Sequence, residues 1–313
     1  MKKVSVMLPT YNAVEFIAEC LESILAQDYP NVQIVISDDC STDGTAELLK
    51  DFSSRYSDKI YLNINQYNLG ITKNCNKALS FCDGEYVCFF AGDDLMLPTK
   101  ISKQVKLLEN DTEASFCYHR VDVFESTNNL TLEVTEETRS IFSTFDIIER
   151  GGLPGANSVM ARKSDLPRGG YNEKIPAVSD WLFFIELSLR GKVIFCNEIL
   201  ARYRKHQGGC SAKADYLIGE TLETVNLISR RFNDNPKVVS SCNKAKIRYL
   251  SGSIARLIRS NNADQLKLVN DAYIKSVSYP LYVLVLLYVR SGLIKFNVGE
   301  TIFKFLSYVR SKV

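Results

Sequence analysis

The sequence has no glycine-rich phosphate cradle. After its first apolar run there is no G-x-G-x-x-G, and nowhere a G-x-x-x-x-G-K-[ST], so a Rossmann dinucleotide site and a P-loop both lack the backbone that would hold phosphate. Nor is there a disulfide or zinc framework, because the nine cysteines are odd in number, scattered, and contain no C-x-x-C pair. That usage fits a reducing cytosol. The run "YPLYVLVLLYV" at 279–289 is only 11 residues long, too short to cross a bilayer, which takes about 20. The start, "MKKVSVMLP", is basic but breaks at Pro9 and reads as a first strand rather than a leader. Repeats and low-complexity segments are missing too. No basic recognition helix or aromatic RNA-binding motif accompanies the positive charge, so a nucleic-acid partner is not expected.

What is present suffices for a large core: 313 residues, 46% of them hydrophobic and 24% charged. The net charge of +2 hides an asymmetry, since residues 211–313 hold 16 Lys and Arg against 7 Asp and Glu, leaving 1–210 acidic. This predicts one domain over 1–210 and a basic extension over 211–313. "VSVML" at 4–8 and "QIVISDD" at 33–39 predict buried strands, with Val14, Ile17, Leu21, Ile24 and Leu25 at helical spacing between them. A helix at 43–56 that Ser41, Thr42 or Asp43 could cap, a strand at 59–64, a helix at 72–82 and a strand at 85–90 continue the alternation. The class is therefore α/β, a mostly parallel sheet with helices on both faces, and its ligands belong outside the carboxyl ends of the strands. Residues 120–150 are polar, with "ESTNNLTLEVTEET" at 125–138 as a hairpin or loop, while 158–161 reads as a short strand and 179–190 as a helix. Helical spacing over 216–232, 237–260 and 264–276 predicts an all-helical extension.

Three polar clusters fall at those strand ends: "PTYN" at 9–12, "DDCSTDGT" at 38–45 and "GDD" at 92–94. In "FFAGDDLMLP" two like charges stand side by side after a buried strand. A divalent cation would remove their repulsion, and a plain turn is the alternative.

The ordered set "PTYN", "DDCSTDGT", "NLGITKNCNKAL", "GEYVCFFAGDD" and "SDWLFFIEL" resembles the family 2 glycosyltransferases of the GT-A fold, over residues 3 to about 206. These enzymes transfer a sugar from a nucleotide diphosphate with inversion. The resemblance implies that Pro9, Thr10 and Tyr11 line the nucleoside pocket, that Asp39 accepts the uracil N3 proton, and that Asp38 shapes the turn beside it. Asn68 and Lys73 would make polar donor contacts, although a solvated helix face reads equally well. Asp94 would be the direct ligand to Mn2+ or Mg2+, Asp93 would face the ribose or donor sugar, and His206 would complete the metal shell. Arg202 and Arg204 could touch phosphate or lie in solvent. Asp180 matches the catalytic base, with Ser179 where the family usually has Glu, and helix capping is the plainer role for it. Trp181 would back that base or flank the acceptor.

What is expected is a metal-dependent glycosyltransferase with a nucleotide-sugar donor, UDP-linked, and a saccharide or lipid-linked saccharide acceptor of the cell envelope. It would be cytoplasmic, with 279–313 either touching the inner membrane face through Tyr and Lys/Arg flanks or packing as a core helix. The rivals are a non-catalytic sugar-nucleotide-binding or scaffold protein of the same fold and a sugar-phosphate nucleotidyltransferase, whose Gly-rich loop with Arg and Lys "PTYNAVEF" lacks.

Overall fold

In the computed structural model, residues 1–135, 141–206 and 217–259 are described; the predicted helices at 264–276 and 279–289 lie outside them. The chain divides into two compact units, Met1–Ile147 with Gly152–Ala212, and Ile148–Gly151 with Lys213–Val313.

The first unit opens with β1 (Val4–Thr10) and β2 (Val32–Asp38), paired in parallel from Val4↔Val32 to Thr10↔Asp38. β3 (Ile60–Ile64) adds to β2, and β4 (Tyr86–Phe89) adds to β1, both in parallel. Val4, Val6, Leu8, Ile34, Ile36 and Val87 are fully or almost fully buried, as unbroken apolar strands are when helices cover both faces. The crossovers are α1 (Ile17–Leu25), α2 (Thr45–Arg55) and α3 (Ile71–Ser80). In α1 the buried residues Ile17, Cys20, Leu21 and Ile24 recur at i, i+3, i+4 and i+7, the stripe that faces a core. At the start of α2 the N-cap is Gly44, without a side-chain cap; Asp43 before it accepts the Thr45 N–H at 3.0 Å, and Ser41 bonds Asp38.

Beyond β4 the sheet becomes mixed. β8 (Met160–Arg162) runs antiparallel to β4 and to β6 (Ala114–Glu125), and β6 pairs in parallel with the 14-residue β9 (Lys192–Lys205). β5 (Leu95–Met96) closes the far edge on β9, and β7 (Thr131–Val134) forms a hairpin with β6. The parallel sheet expected from the sequence is thus the half formed by β3, β2, β1 and β4. Two further helices of this unit are α4 (Lys100–Asn110) and α6 (Ser179–Ser188), with α5 (Thr144–Arg150) preceding α6.

β6 and β7 form the hairpin expected within 125–138, but β6 begins as early as Ala114, a strand the sequence did not reveal. Its middle carries His119, Arg120 and Asp122, and the register with β9 shifts around His119–Val121, which destroys the alternation that marks a strand. α4 was illegible for a related reason: its buried face includes Lys100 and Gln104. Lys100 Nζ is fully buried, 2.6 Å from Gln104 Oε1 and 3.0 Å from Cys88 Sγ.

In the second unit α7 (Ile218–Arg231) packs on α8 (Pro236–Arg259), burying Leu222, Val225, Ile228, Val238, Cys242 and Ala245. Glu149 accepts the Ser241 hydroxyl at 2.8 Å and faces Lys244 at 3.4 Å. No described helix is long and apolar enough to cross a membrane.

Candidate active site

The carboxyl ends of β1 and β2 are tied together, since the Asp39 N–H donates to the Thr10 carbonyl at 3.0 Å. Pro9 and Thr10 sit in this edge, and Tyr11, just beyond it, is 51% exposed, its ring open to a flat partner. Asp38 is fully buried, and both its oxygens go to Ser41, one from the N–H at 2.9 Å and one from the hydroxyl at 2.5 Å. It shapes the turn and offers nothing outward. Asp39, also buried, accepts the Leu69 N–H at 2.8 Å and the Asn65 amide at 3.0 Å on Oδ1, and the Gly70 N–H at 2.9 Å on Oδ2. A carboxylate has about four acceptor positions, so one remains, on Oδ2.

Asn65 is itself held by Asn74 at 3.0 Å, and Asn74 donates to the Ser37 carbonyl at 2.9 Å. This buried amide chain gave no sequence signal apart from Thr72 and Asn74 standing on the inner face of α3, where apolar residues are the rule. Gly70 has φ +84°, a conformation that only glycine adopts without strain, and the exposed Asn68 side chain accepts the Gly70 N–H at 3.1 Å. Asn68 therefore shapes the loop that holds Asp39. Lys73 is exposed on α3 and makes no ion pair with a described residue.

After β4 the "GDD" loop passes hard against β1. A Cβ on Gly92 would lie 2.7 Å from Thr10 Oγ1 and 3.0 Å from Ile17 Cδ1, so no larger residue fits there. The two carboxylates then part. Asp94 turns inward, 1% exposed, with Oδ1 accepting the Arg204 main-chain N–H at 3.0 Å. Burial, and then the charge of Asp93, push its carboxyl well above the ordinary range. Asp93 faces outward, and its Oδ2 lies 3.0 Å from His206 Nε2. β9 thus holds Asp94 through its backbone, and the carboxylate that His206 meets is that of Asp93.

Among the described residues no three His, Cys, Asp or Glu side chains gather closely enough to cage a metal ion. One outward carboxylate oxygen beside one imidazole nitrogen still fits a hard divalent ion that takes its remaining ligands from phosphate and water, as Mg2+ commonly does. The mixed N/O set suits Mn2+ equally.

Arg204 is the residue that fixes this loop. It is 7% exposed and donates from Nε to the Asp93 carbonyl at 2.7 Å and from Nη2 to Glu19 at 2.6 Å, with its guanidinium 4.9 Å from the Phe16 ring and 4.7 Å from that of Phe124. Arg202 is bound to Asp122 at 2.7 Å and Asn129 at 2.6 Å. Arg204 Nε and Nη2 and all three Arg202 guanidinium nitrogens thus have partners within the protein.

α6 begins beside α3. Its N-cap residue, Val178, makes no side-chain cap, and Asp180 Oδ1 accepts the N–H of Trp181 at 2.9 Å. Asp180 is exposed by surface area, yet burial by the surrounding chain raises its carboxyl above the ordinary range. The side chain is reached by water from one side and hemmed in elsewhere. Trp181 is 5% exposed, its indole N–H donating to the Ile147 carbonyl at 2.9 Å. Its burial suits backing Asp180 from the core, the first of the two roles the sequence left open, rather than flanking an acceptor. Phe183 stacks on Tyr171 with centroids 4.2 Å apart, and Phe184 meets Phe89 edge-on at 5.4 Å, rooting α6 against the sheet.

A parallel half-sheet continued by a mixed half, covered by helices and edged with carboxylates, is the GT-A architecture. S. aureus TarS in complex with UDP-GlcNAc shares it, with a TM-score of 0.65 at 17% identity, over 96% of this chain and 91% of that one. The chain belongs to glycosyl transferase family 2, whose family model matches residues 5–164. An uncharacterised protein of Mycobacterium tuberculosis is 30% identical over 66% of this chain, which spans 59% of that relative's length. The Escherichia coli UDP-Glc:alpha-D-GlcNAc-diphosphoundecaprenol beta-1,3-glucosyltransferase WfaP is 29% identical over 68% of this chain and 81% of its own.

Proposed function

We propose that this protein is an inverting glycosyltransferase that moves a sugar from a UDP-linked donor to a hydroxyl of a saccharide or lipid-linked saccharide acceptor. The observation that carries the reading is the outward pair Asp93 and His206, 3.0 Å apart, at the same sheet edge as the nearly saturated carboxylate of Asp39. WfaP, by its name, uses UDP-Glc and a diphosphoundecaprenol-linked acceptor, which supports both halves of the assignment.

Each role follows from chemistry. Uracil N3–H would meet the one acceptor position left on Asp39 Oδ2 while the base lies along Tyr11. Asp93 and His206 would hold Mn2+ or Mg2+ with the diphosphate. When bound, that ion supplies charge neutralisation to the departing diphosphate. Asp180, its carboxyl raised above the ordinary range by burial, takes the proton of the acceptor hydroxyl as the oxygen attacks the anomeric carbon and the bond from that carbon to the phosphate oxygen breaks on the opposite face. The products are the glycosylated acceptor with inverted configuration and UDP.

Base recognition is tested at Asp39. An amide at this position sets a donor NH2 against both the Gly70 N–H and uracil N3–H, so Asp39→Asn is expected to weaken UDP about 10- to 100-fold while changing ADP binding little, the scale on which a mispaired buried polar group discriminates. Calorimetry giving equal losses for UDP and ADP would remove Asp39 from base recognition.

A further inference from the structure

Tyr171–Ser179 is the stretch that delivers Asp180, and it is strapped along α3. Asn76 bonds Tyr171 twice, donating from Nδ2 to its carbonyl at 2.9 Å and accepting its N–H on Oδ1 at 2.7 Å. One turn nearer the helix start, the Thr72 N–H donates to the Pro176 carbonyl at 3.3 Å and the Thr72 hydroxyl to the Ile175 carbonyl at 2.7 Å. Thr72 Oγ1 also lies 2.8 Å from Ser179 Oγ. A threonine has one hydroxyl proton, and Ile175 takes it, so Ser179 is the donor in that pair. Both side chains are buried, at 2% and 3% exposure. In the other direction α3 begins just past Gly70, whose N–H, with that of Leu69, holds Asp39.

We infer that Thr72 and Ser179 are positioning residues, a buried hydroxyl pair through which α3 sets Asp180 for proton transfer, so that one helix fixes both the nucleotide-reading carboxylate and the proton acceptor. The inference rests on Asp180 receiving the acceptor proton. It gives a physical role to Ser179, which stands where the family usually has Glu: a neutral hydroxyl, locked by Thr72, is the group that orients the neighbouring carboxylate. A carboxylate at the same buried place would bring a second negative charge next to Asp180, with no described cation bonded to it.

The test uses the full chain, Mn2+, and whichever of a set of UDP-, GDP- and dTDP-sugars the wild type hydrolyses fastest. Thr72→Val keeps the shape but removes both hydrogen-bonding functions, and Ser179→Ala removes the donor. Each is expected to lower kcat about 10- to 100-fold, the loss that a displacement of about 1 Å produces, with the donor KM and the UDP Kd within about twofold of wild type. The double variant should be no worse than the more damaged single one, because both break the same link. Thr72→Ser, which retains the hydroxyl, should keep wild-type kcat. If Thr72→Val folds poorly, Ser179→Ala decides alone. Folded variants with wild-type kcat, or losses confined to donor KM, would overturn the positioning role. An Asp180→Asn arm separates the two layers. Full activity there overturns the role of Asp180 itself, whereas an inactive Asp180→Asn beside an active Ser179→Ala overturns only the coupling.

Discussion

Asp180→Asn is expected to bind UDP with Mn2+ as the wild type does and to lose sugar transfer by about 10²- to 10⁴-fold, the usual contribution of a positioned base. The amide can still accept the Trp181 N–H through its oxygen, so α6 should start as before. Two pH signatures accompany this. Burial holds the Asp180 carboxyl above the ordinary range, so the acidic limb of kcat/KM in the wild type should lie above that range too, with activity rising as the proton leaves. The sign for stability is opposite. A carboxyl whose folded value exceeds its unfolded value costs nothing while protonated, and it opposes folding increasingly as pH rises from the unfolded value through the folded one. Asp180→Asn should therefore melt higher than wild type at pH 8, with the gain vanishing at acid pH below the unfolded value. A variant that loses UDP binding and keeps its residual turnover would move Asp180 to the donor side.

Arg204→Met is expected to abolish most activity from a residue that touches no substrate. Met can fill the space between Phe16 and Phe124, but it cannot donate to the Asp93 carbonyl or to Glu19. Hydrogen bonds to charged groups contribute about 1.5–3 kcal/mol each; Glu19 is largely exposed and the Asp93 carbonyl is neutral, so a total loss of about 2 kcal/mol is expected in denaturant unfolding. The larger effect should be on metal affinity, because the loop that aims Asp93 at His206 loses its brace. Lysine should rescue poorly, since a point charge cannot reproduce the guanidinium fork. Unchanged Mn2+ dependence in Arg204→Met would show that the loop holds its shape without the clamp.

The sequence revealed most where one physical signal dominated. β1, β2 and β4 are apolar on both faces, and α1 carries a clean stripe, so the parallel half-sheet and its acidic edge could be read directly. Legibility failed where polar groups are buried. Lys100 and Gln104 occupy the inner face of α4, and the irregular register of β6 with β9 around His119–Val121 hides a 12-residue strand. At the site, side-chain type pointed to Asp39, Asp93, Asp94, Asp180 and His206. Their directions depend on backbone partners distant in sequence: the Arg204 N–H, 110 positions away, turns Asp94 inward, and the Ile147 carbonyl fixes Trp181 in the core. The Arg204 brace, the Asn65–Asn74 chain and the Thr72–Ser179 pair all join residues that no local pattern connects.

The proposal that this edge is a donor site for sugar transfer is tested most directly by incubating the full chain with radiolabelled UDP-, GDP- and dTDP-sugars, with Mn2+ or with EDTA, and following release of free sugar. We expect release from a UDP-linked donor that requires the metal and is lost in Asp180→Asn. Folded protein that binds UDP yet turns over no nucleotide sugar, or that instead joins UTP to a sugar phosphate, would contradict it.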